Sequence, residues 1–277
     1  MMHLFAAAGP HVSIVAEELF NIGGFPVTNS MILGFFAYGL LITLGILLAR
    51  AVSRGSTTRV VIAGQWLFEG LLSITEDVLE NKKLARRVAP LAITIFLAVV
   101  FNNWFGILPG VGPILYDGQP LFRGLAADLN FTFALAAITM VAVQIYAIKA
   151  HGFFGNGRRY LVNPFKNPIG AFEGILELVG EFSRFVALSM RLFGNVFGGE
   201  VLLTVIAFLS GWFGFLPLPL FMGFELFIGA LQAYVFYMLT IIFISLAVEH
   251  HGGEHAKKKS PKESALTGDS KVTVSTN

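Results

Sequence analysis

The first long apolar run, Met31 to Ala49, carries no charge and stops at Arg50. A bilayer crossing needs about 20 consecutive apolar residues. Runs of that kind recur at 88–108, 129–148, 171–208 and 219–248. The pattern predicts an all-α integral membrane protein with about five membrane-spanning helices in a single domain over residues 1–249. Its punctuation agrees: Asn29-Ser30 opens the first span, Pro109-Gly110 closes the second, and Asp128 and Lys149 bracket the third. A Gly/Pro-rich turn at 211–219 predicts that the last two spans form a long hairpin. Between the first two spans, Gln65 to Leu79 has helical apolar spacing among charges and predicts an amphipathic helix on the membrane surface. From His250 to Asn277 the chain is polar and rich in Lys, Gly and Ser, which predicts a disordered tail.

Composition narrows the function. Only 13% of the 277 residues are charged and 55% are hydrophobic, against about a quarter charged in soluble domains. A net charge of +2 without a Lys/Arg stripe excludes nucleic acid as a partner. Zero cysteines exclude disulfides, thiolate catalysis and cysteine metal sites. No Gly-rich phosphate loop is present, so no ATP site, cofactor or metal site is expected, and His250, His251 and His255 read as solvated tail residues. Met1 to Pro10 lacks the basic region of a cleaved signal peptide. Cations crowd into 50–87, 149–166 and 257–262 and are sparse in 1–31, 109–128 and 209–218, where Arg123 stands alone in its connector. Cationic loops face the cytoplasm, so five crossings place the N-terminus outside and the C-terminus inside. No internal repeat is apparent, which weighs against transporters built from inverted repeats.

Ionisable residues inside spans are costly and usually functional, and the two long apolar segments of 171–249 contain Glu173, Glu177, Glu181, Arg184, Arg191, Glu200 and Glu225. At about 100° per residue, Glu173, Glu177, Arg184 and Asn195 fall within roughly 40° of Arg191, while Glu200 points to about the opposite face. Glu225 and Gln232 share a face of the last helix. A hairpin turning near Gly211 would bring Gln232 level with Arg191, and Glu225 close to the level of Glu200. Two groups of acids then flank one arginine, as two offset aqueous routes separated by a cationic barrier require. A carboxylic acid can cross lipid neutral, whereas a guanidinium stays charged and forces a passing acid to ionise. From spacing alone Arg191 could equally be a structural cation paired with Glu177 or Glu181. An ion-coupled transporter and a membrane anchor also remain open, Asp128, Asn130 and Asn103 could be helix caps, and Gly194, Gly198 and Gly199 could serve packing within the chain.

Ser189-Met190-Arg191-Leu192-Phe193-Gly194-Asn195, continuing to Gly199-Glu200, resembles the signature of subunit a of F-type ATP synthases. Leu231-Gln232-Ala233-Tyr234 with Leu239-Thr240 is similar to that family's final helix. Asn103 with Leu108-Pro109, Asp128 with Asn130, and Phe25-Pro26-Val27-Thr28-Asn29 extend the likeness over about 11–249. The resemblance implies a proton-carrying stator subunit of the F0 sector in a bacterial plasma membrane. Its partners would be the c-ring and peripheral stalk subunit b, with the last two helices steeply tilted against the rotor. It implies that Arg191 faces the rotor carboxylates beside Asn195 and Gln232. Glu200 and Glu225 would line an outer half-channel and Glu177 would border an inner one, with Glu173, Asn103, Asp128 and Asn130 as further candidates along the path. Some members carry histidine at the position of Glu225 or of Glu200, and many a small polar residue where this chain has Ala187.

Overall fold

The computed structural model describes residues 13–249, apart from 109–110, 112–113, 117–118, 154 and 156–167. The expected disordered tail at 250–277 lies outside them. Among the described residues six α-helices carry the fold: α1 Asn29–Ser53, α2 Arg59–Val78, α3 Lys82–Gly106, α4 Leu129–His151, α5 Pro168–Ser210 and α6 Pro217–Glu249. Five of the six regions are long and apolar enough to cross a membrane, and α2 is the exception.

Local chemistry sets the helix ends. Asn81 caps α3 by accepting from the backbone N–H groups of Lys83 and Leu84 at 3.1 and 3.4 Å. The helix therefore starts six residues before the predicted span at 88–108, and Lys82, Lys83, Arg86 and Arg87 belong to its first turns rather than to a loop. A charge-free run marks only the lipid-compatible part of a helix; the cap marks its beginning. Gly55 and Gly152 follow α1 and α4 with φ of 68° and 76°, conformations that side-chain-bearing residues rarely adopt. Gly211, with φ 46°, opens the 3-10 turn Gly211–Phe215 that joins α5 to α6.

At about 1.5 Å per residue, α5 with 43 residues and α6 with 33 both exceed a hydrocarbon thickness of about 30 Å, so they cross on a slant or project beyond it.

α3 and α6 form the centre. One apolar cluster joins Leu71 of α2, Val88, Ala92 and Ile93 of α3, Val143 and Ala147 of α4, and Tyr237, Ile241 and Ile244 of α6. A second joins Ile95 and Val99 of α3, Leu135 and Ala136 of α4, Leu188 and Leu192 of α5, and Ala233 and Phe236 of α6. Alanines at these contacts let helices approach closely, which matters in lipid because packing rather than water exclusion holds helices together. α1 is peripheral, and Phe35, Phe36, Ile42 and Leu47 are exposed as a lipid-facing surface would be.

The amphipathic helix is longer at its start than its expected bounds of 65–79. It is fastened to the bundle by a buried pair: the Thr75 and Tyr237 hydroxyls are 2.7 Å apart and both reach the Leu71 carbonyl. α1 ends and α3 begins at one end of the bundle, so α2, which joins them, lies at that end. The N-terminal ends of α1, α4 and α6 meet the C-terminal ends of α3 and α5 at the other. There the Asn29 side chain donates to the Pro120 carbonyl at 3.1 Å and Trp104 donates to the Leu226 carbonyl at 3.1 Å.

Among the described residues two short hairpins supplement the helices. Glu18–Ile22 (β1) pairs antiparallel with Phe25–Thr28 (β2) around Gly23 and Gly24, whose φ values of 60° and 90° make the turn. Leu115–Tyr116 (β3) pairs with Gln119–Pro120 (β4) in the connector before α4.

Candidate functional site

The register of the α5–α6 hairpin is fixed by a close approach. A Cβ built on Gly199 of α5 would collide with the Glu225 carboxyl of α6, so that carboxyl lies against the glycine backbone. In an antiparallel pair this contact places Arg191, about 12 Å along the axis, opposite Ala233 and beside Gln232. Leu192 and Ala233 do share one buried cluster. Glu225 and Glu200 are thereby brought to one level, and Gln232 to the level of Arg191, as the hairpin geometry predicts.

Arg191 itself is exposed, and makes no hydrogen bond or ion pair among the described residues. Its face of α5 is built from Ser183, Ala187, Met190, Gly194 and Gly198, all exposed. Gly194 and Gly198 have open space where a Cβ would stand, so their smallness serves no packing within this chain. The structural pairing with Glu181 is not made: Gln144 of α4 donates to Glu181 at 2.8 Å. Arg184, expected on the same stripe, lies over the Phe243 ring at 5.5 Å. Glu173 is exposed and Glu177 half-buried, roughly 27 and 21 Å from the arginine level along α5.

Two clefts lie on the Glu200 side of Arg191. The first, about 340 Å³, is lined by Ser13, Glu17, Asn29, Arg123, Glu200 and Thr204, among others. Arg123 is only 4% exposed. Its Nε reaches Glu200 Oε2 at 3.4 Å, Nη1 donates to the Val15 carbonyl at 2.9 Å and Nη2 to the Ser13 carbonyl at 2.7 Å. The guanidinium also sits 5.9 Å from the centre of the Phe197 ring. Three partners and an aromatic face are what a buried cation requires.

The second cleft, about 210 Å³, is lined by Asn103, Ile107, Asn195, Val196, Glu225, Ile228 and Gly229. Asn103 donates to the Gly229 carbonyl at 3.2 Å, while its Oδ1 is buried without a partner among the described residues. Gln232, 7% exposed, buries an unpartnered Nε2 in the same way. Buried orphan polar atoms mark places where water or a partner's group completes the bonding. Such atoms therefore recur beside the acids and at the arginine level.

The described part of the chain thus offers an uncompensated arginine on an uncovered small-residue face, with carboxylates in polar clefts to one side and further acids to the other. Comparison with known proteins is decisive at this point, for the ATP synthase A chain family matches residues 31–245, a stretch that includes most of the spans and every residue from Arg191 to Glu225. The chain belongs to the ATP synthase A chain family. It is 31% identical over 250 residues to ATP synthase subunit a of Desulforamulus reducens, covering 86% of this chain and 87% of the relative. It is 32% identical over 209 residues to the Mycobacterium ulcerans subunit, covering 73% and 81%. With the Campylobacter concisus subunit it shares 35% over 188 residues, covering 68% and 75%. As a family member with five apolar helices of spanning length, it is a multi-pass membrane protein.

Not every expected residue joins the site. Asp128 caps α4, accepting from the Asn130 backbone N–H at 2.9 Å and from the Ser30 hydroxyl at 3.0 Å. The Asn130 side chain is exposed, and neither residue lines either of these two clefts. Conversely, Arg123, Glu17 and Asn29 line the first cleft without having been site candidates. Arg123 carried a signal as the lone cation of its connector, which was read only as a mark of topology. Asn29 was read only as a helix start and as part of the family likeness, and Glu17 carried no signal, because its place depends on the β1–β2 hairpin folding back over the end of the bundle.

Proposed function

We propose that this chain is the stator subunit that conducts protons through the F0 sector of a rotary ATP synthase. The observation that carries the reading is Arg191: a permanently charged group on an open stripe of small residues, without an ion pair among the described residues. An arginine in the middle of a span costs at least about 2.5–3.5 kcal/mol unless it is paired or solvated, so this face calls for a partner bearing carboxylates. A ring of small membrane hairpins, each with one buried acid, fits the stripe: Ala187, Gly194 and Gly198 permit close helix approach and Arg191 meets each acid in turn. At an effective dielectric constant of about 20, a unit charge at 4 Å contributes about 4 kcal/mol. That offsets roughly 3 pKa units of desolvation, enough to ionise a buried carboxylic acid as it passes.

In this reading protons reach the ring through an outer half-channel containing Glu200, Glu225 and Asn103. They leave through an inner one bordered by Glu177 and Glu173, while Asn195 and Gln232 flank the arginine. Asp128 and Asn130 serve the start of α4. The chain has no catalytic site of its own and no cofactor. Peripheral stalk subunit b is its second protein partner, and the bacterial relatives together with the cation distribution favour a bacterial plasma membrane with the N-terminus outside and the C-terminus cytoplasmic.

Cross-linking tests the assignment. The chain has no native cysteine, so Gly194→Cys or Gly198→Cys introduces one thiol on the Arg191 face. Paired with a cysteine beside the rotor acid, it is expected to give an oxidative cross-link that stops proton-driven ATP synthesis. Absence of that cross-link in an assembled complex, with the introduced thiol still open to a soluble thiol reagent, would contradict the proposal.

A further inference from the structure

Beyond the acids already discussed, the first cleft holds a carboxyl from outside the spans. Glu17 precedes β1, and its segment is fastened at both ends. Arg123 holds the carbonyls of Ser13 and Val15 at 2.7 and 2.9 Å. The backbone N–H of Asn29, at the start of α1, donates to the Glu17 carbonyl at 3.1 Å. So fixed, Glu17 lines the same cleft as Glu200. An independent feature shows that the cleft is built for water. Asn29 is 1% exposed and lines it; its amide nitrogen is used by the Pro120 carbonyl, and its Oδ1 has no partner among the described residues. A buried acceptor left open beside carboxylates and a guanidinium takes its hydrogen bond from water.

We propose that Glu17 is the outermost carboxyl of the outer half-channel, passing protons through cleft water to Glu200, and that the strap Ser13–Glu17, pinned by Arg123, is the wall that holds it there. The inference rests on the stator reading and adds a residue to its path. Among the described residues, the charged groups that line the cleft with Glu17 are Arg123 from the connector and Glu200 from α5, with Glu225 of α6 beyond. Asp128 is held by Ser30 at the start of α1, and Glu18, which opens β1, is exposed. The steps are proton transfers only: from a hydronium of the outer phase to Glu17, from Glu17 to cleft water, and from the hydronium so formed to Glu200, which passes its proton on toward the rotor, so that each group returns to its starting charge. Arg123 is a positioning residue, since it holds both the strap and Glu200 and cannot itself release a proton.

The test uses the whole ATP synthase in membrane vesicles, with proton-driven ATP synthesis followed against the pH of the outer face. Glu17→Gln, which keeps shape and hydrogen bonding but cannot titrate, is expected to slow synthesis on the order of ten-fold, below the 10²–10⁴ typical of an obligatory acid–base group because water still reaches Glu200. It is also expected to flatten the dependence on outer pH, while Glu17→Asp restores both. Wild-type rate and pH profile in Glu17→Gln, alongside loss of synthesis in Glu200→Gln, overturns the inference and leaves the stator reading standing. Full synthesis in both Glu200→Gln and Arg191→Ala overturns the reading itself. Should Glu17→Gln not assemble, Glu17→Cys in the cysteine-free chain gives the answer. A small charged methanethiosulfonate added at the outer face is expected to label it and block proton flux; no labelling, or labelling without loss of flux, overturns the inference.

Discussion

Gly198 and Gly199 are adjacent on α5, yet one added methyl group has opposite consequences at the two positions. Alanine is about 1 kcal/mol better than glycine in a helix interior, so each substitution starts with that gain. At Gly198 nothing within the chain lies within 4 Å of the new Cβ, and the gain is kept: the isolated subunit is expected to be as stable as wild type or more so. At Gly199 the methyl would occupy the place of the Glu225 carboxyl. That carboxyl ends a flexible side chain and can swing away at about 0.5–1.5 kcal/mol of rotamer cost, which cancels the gain and leaves stability nearly unchanged. Position is what is lost, and a displacement of about 1 Å in a reacting group can cost as much as 10²-fold. Gly199→Ala is therefore expected to assemble normally and to lower proton-driven ATP synthesis by ten-fold or more, while ATP hydrolysis by the detached catalytic sector is unaffected. Thermal unfolding of the purified subunit and synthesis in vesicles measure the two quantities. Wild-type synthesis in Gly199→Ala would refute the functional placement of Glu225. A marked loss of subunit stability would show instead that the carboxyl cannot move aside.

Two further substitutions separate structural from conducting residues. Asp128→Ala removes a helix cap and the hydrogen bond from Ser30, and is expected to destabilise the subunit by about 1–2 kcal/mol. ATP synthesis per assembled complex should be unchanged, and an assembled complex that does not synthesise would place Asp128 in the proton path. Tyr237→Phe removes a buried hydroxyl that ties α6 to α2 through Thr75 and Leu71, with an expected loss of about 1–2 kcal/mol. Hydrogen exchange should then rise selectively in α2, and uniform exchange across the helices would contradict its role as a local pin.

The spans were legible because bilayer thickness imposes a length on apolar runs, and Asn29-Ser30 and Asp128 stood where helices begin. The start of α3 was not, because Lys82 to Arg87 look like loop residues until Asn81 is recognised as a cap. At the site, the spacing of Glu225 and Gln232 and the position of the turn were enough to place Glu225 beside Glu200. Helical periodicity alone grouped Arg184 and Asn195 with Arg191, but packing divides them: Arg184 goes to Phe243, Asn195 to the Glu225 cleft, and Arg191 stays on the open face. A helical wheel gives direction and not neighbours. For the same reason Glu17 and Arg123, more than a hundred residues apart in the chain, could not be joined to Glu200 before the fold was known.

The central claim is that a fixed positive charge at position 191 forces protons to cross on a moving partner. Arg191→Ala in the complete ATP synthase, reconstituted in sealed vesicles and energised by a proton gradient, tests it most directly. The expected result is a complex that assembles with its rotor ring and makes no ATP, because nothing ionises the rotor acids as they pass. Gradient-driven synthesis at the wild-type rate by that assembled complex would contradict it.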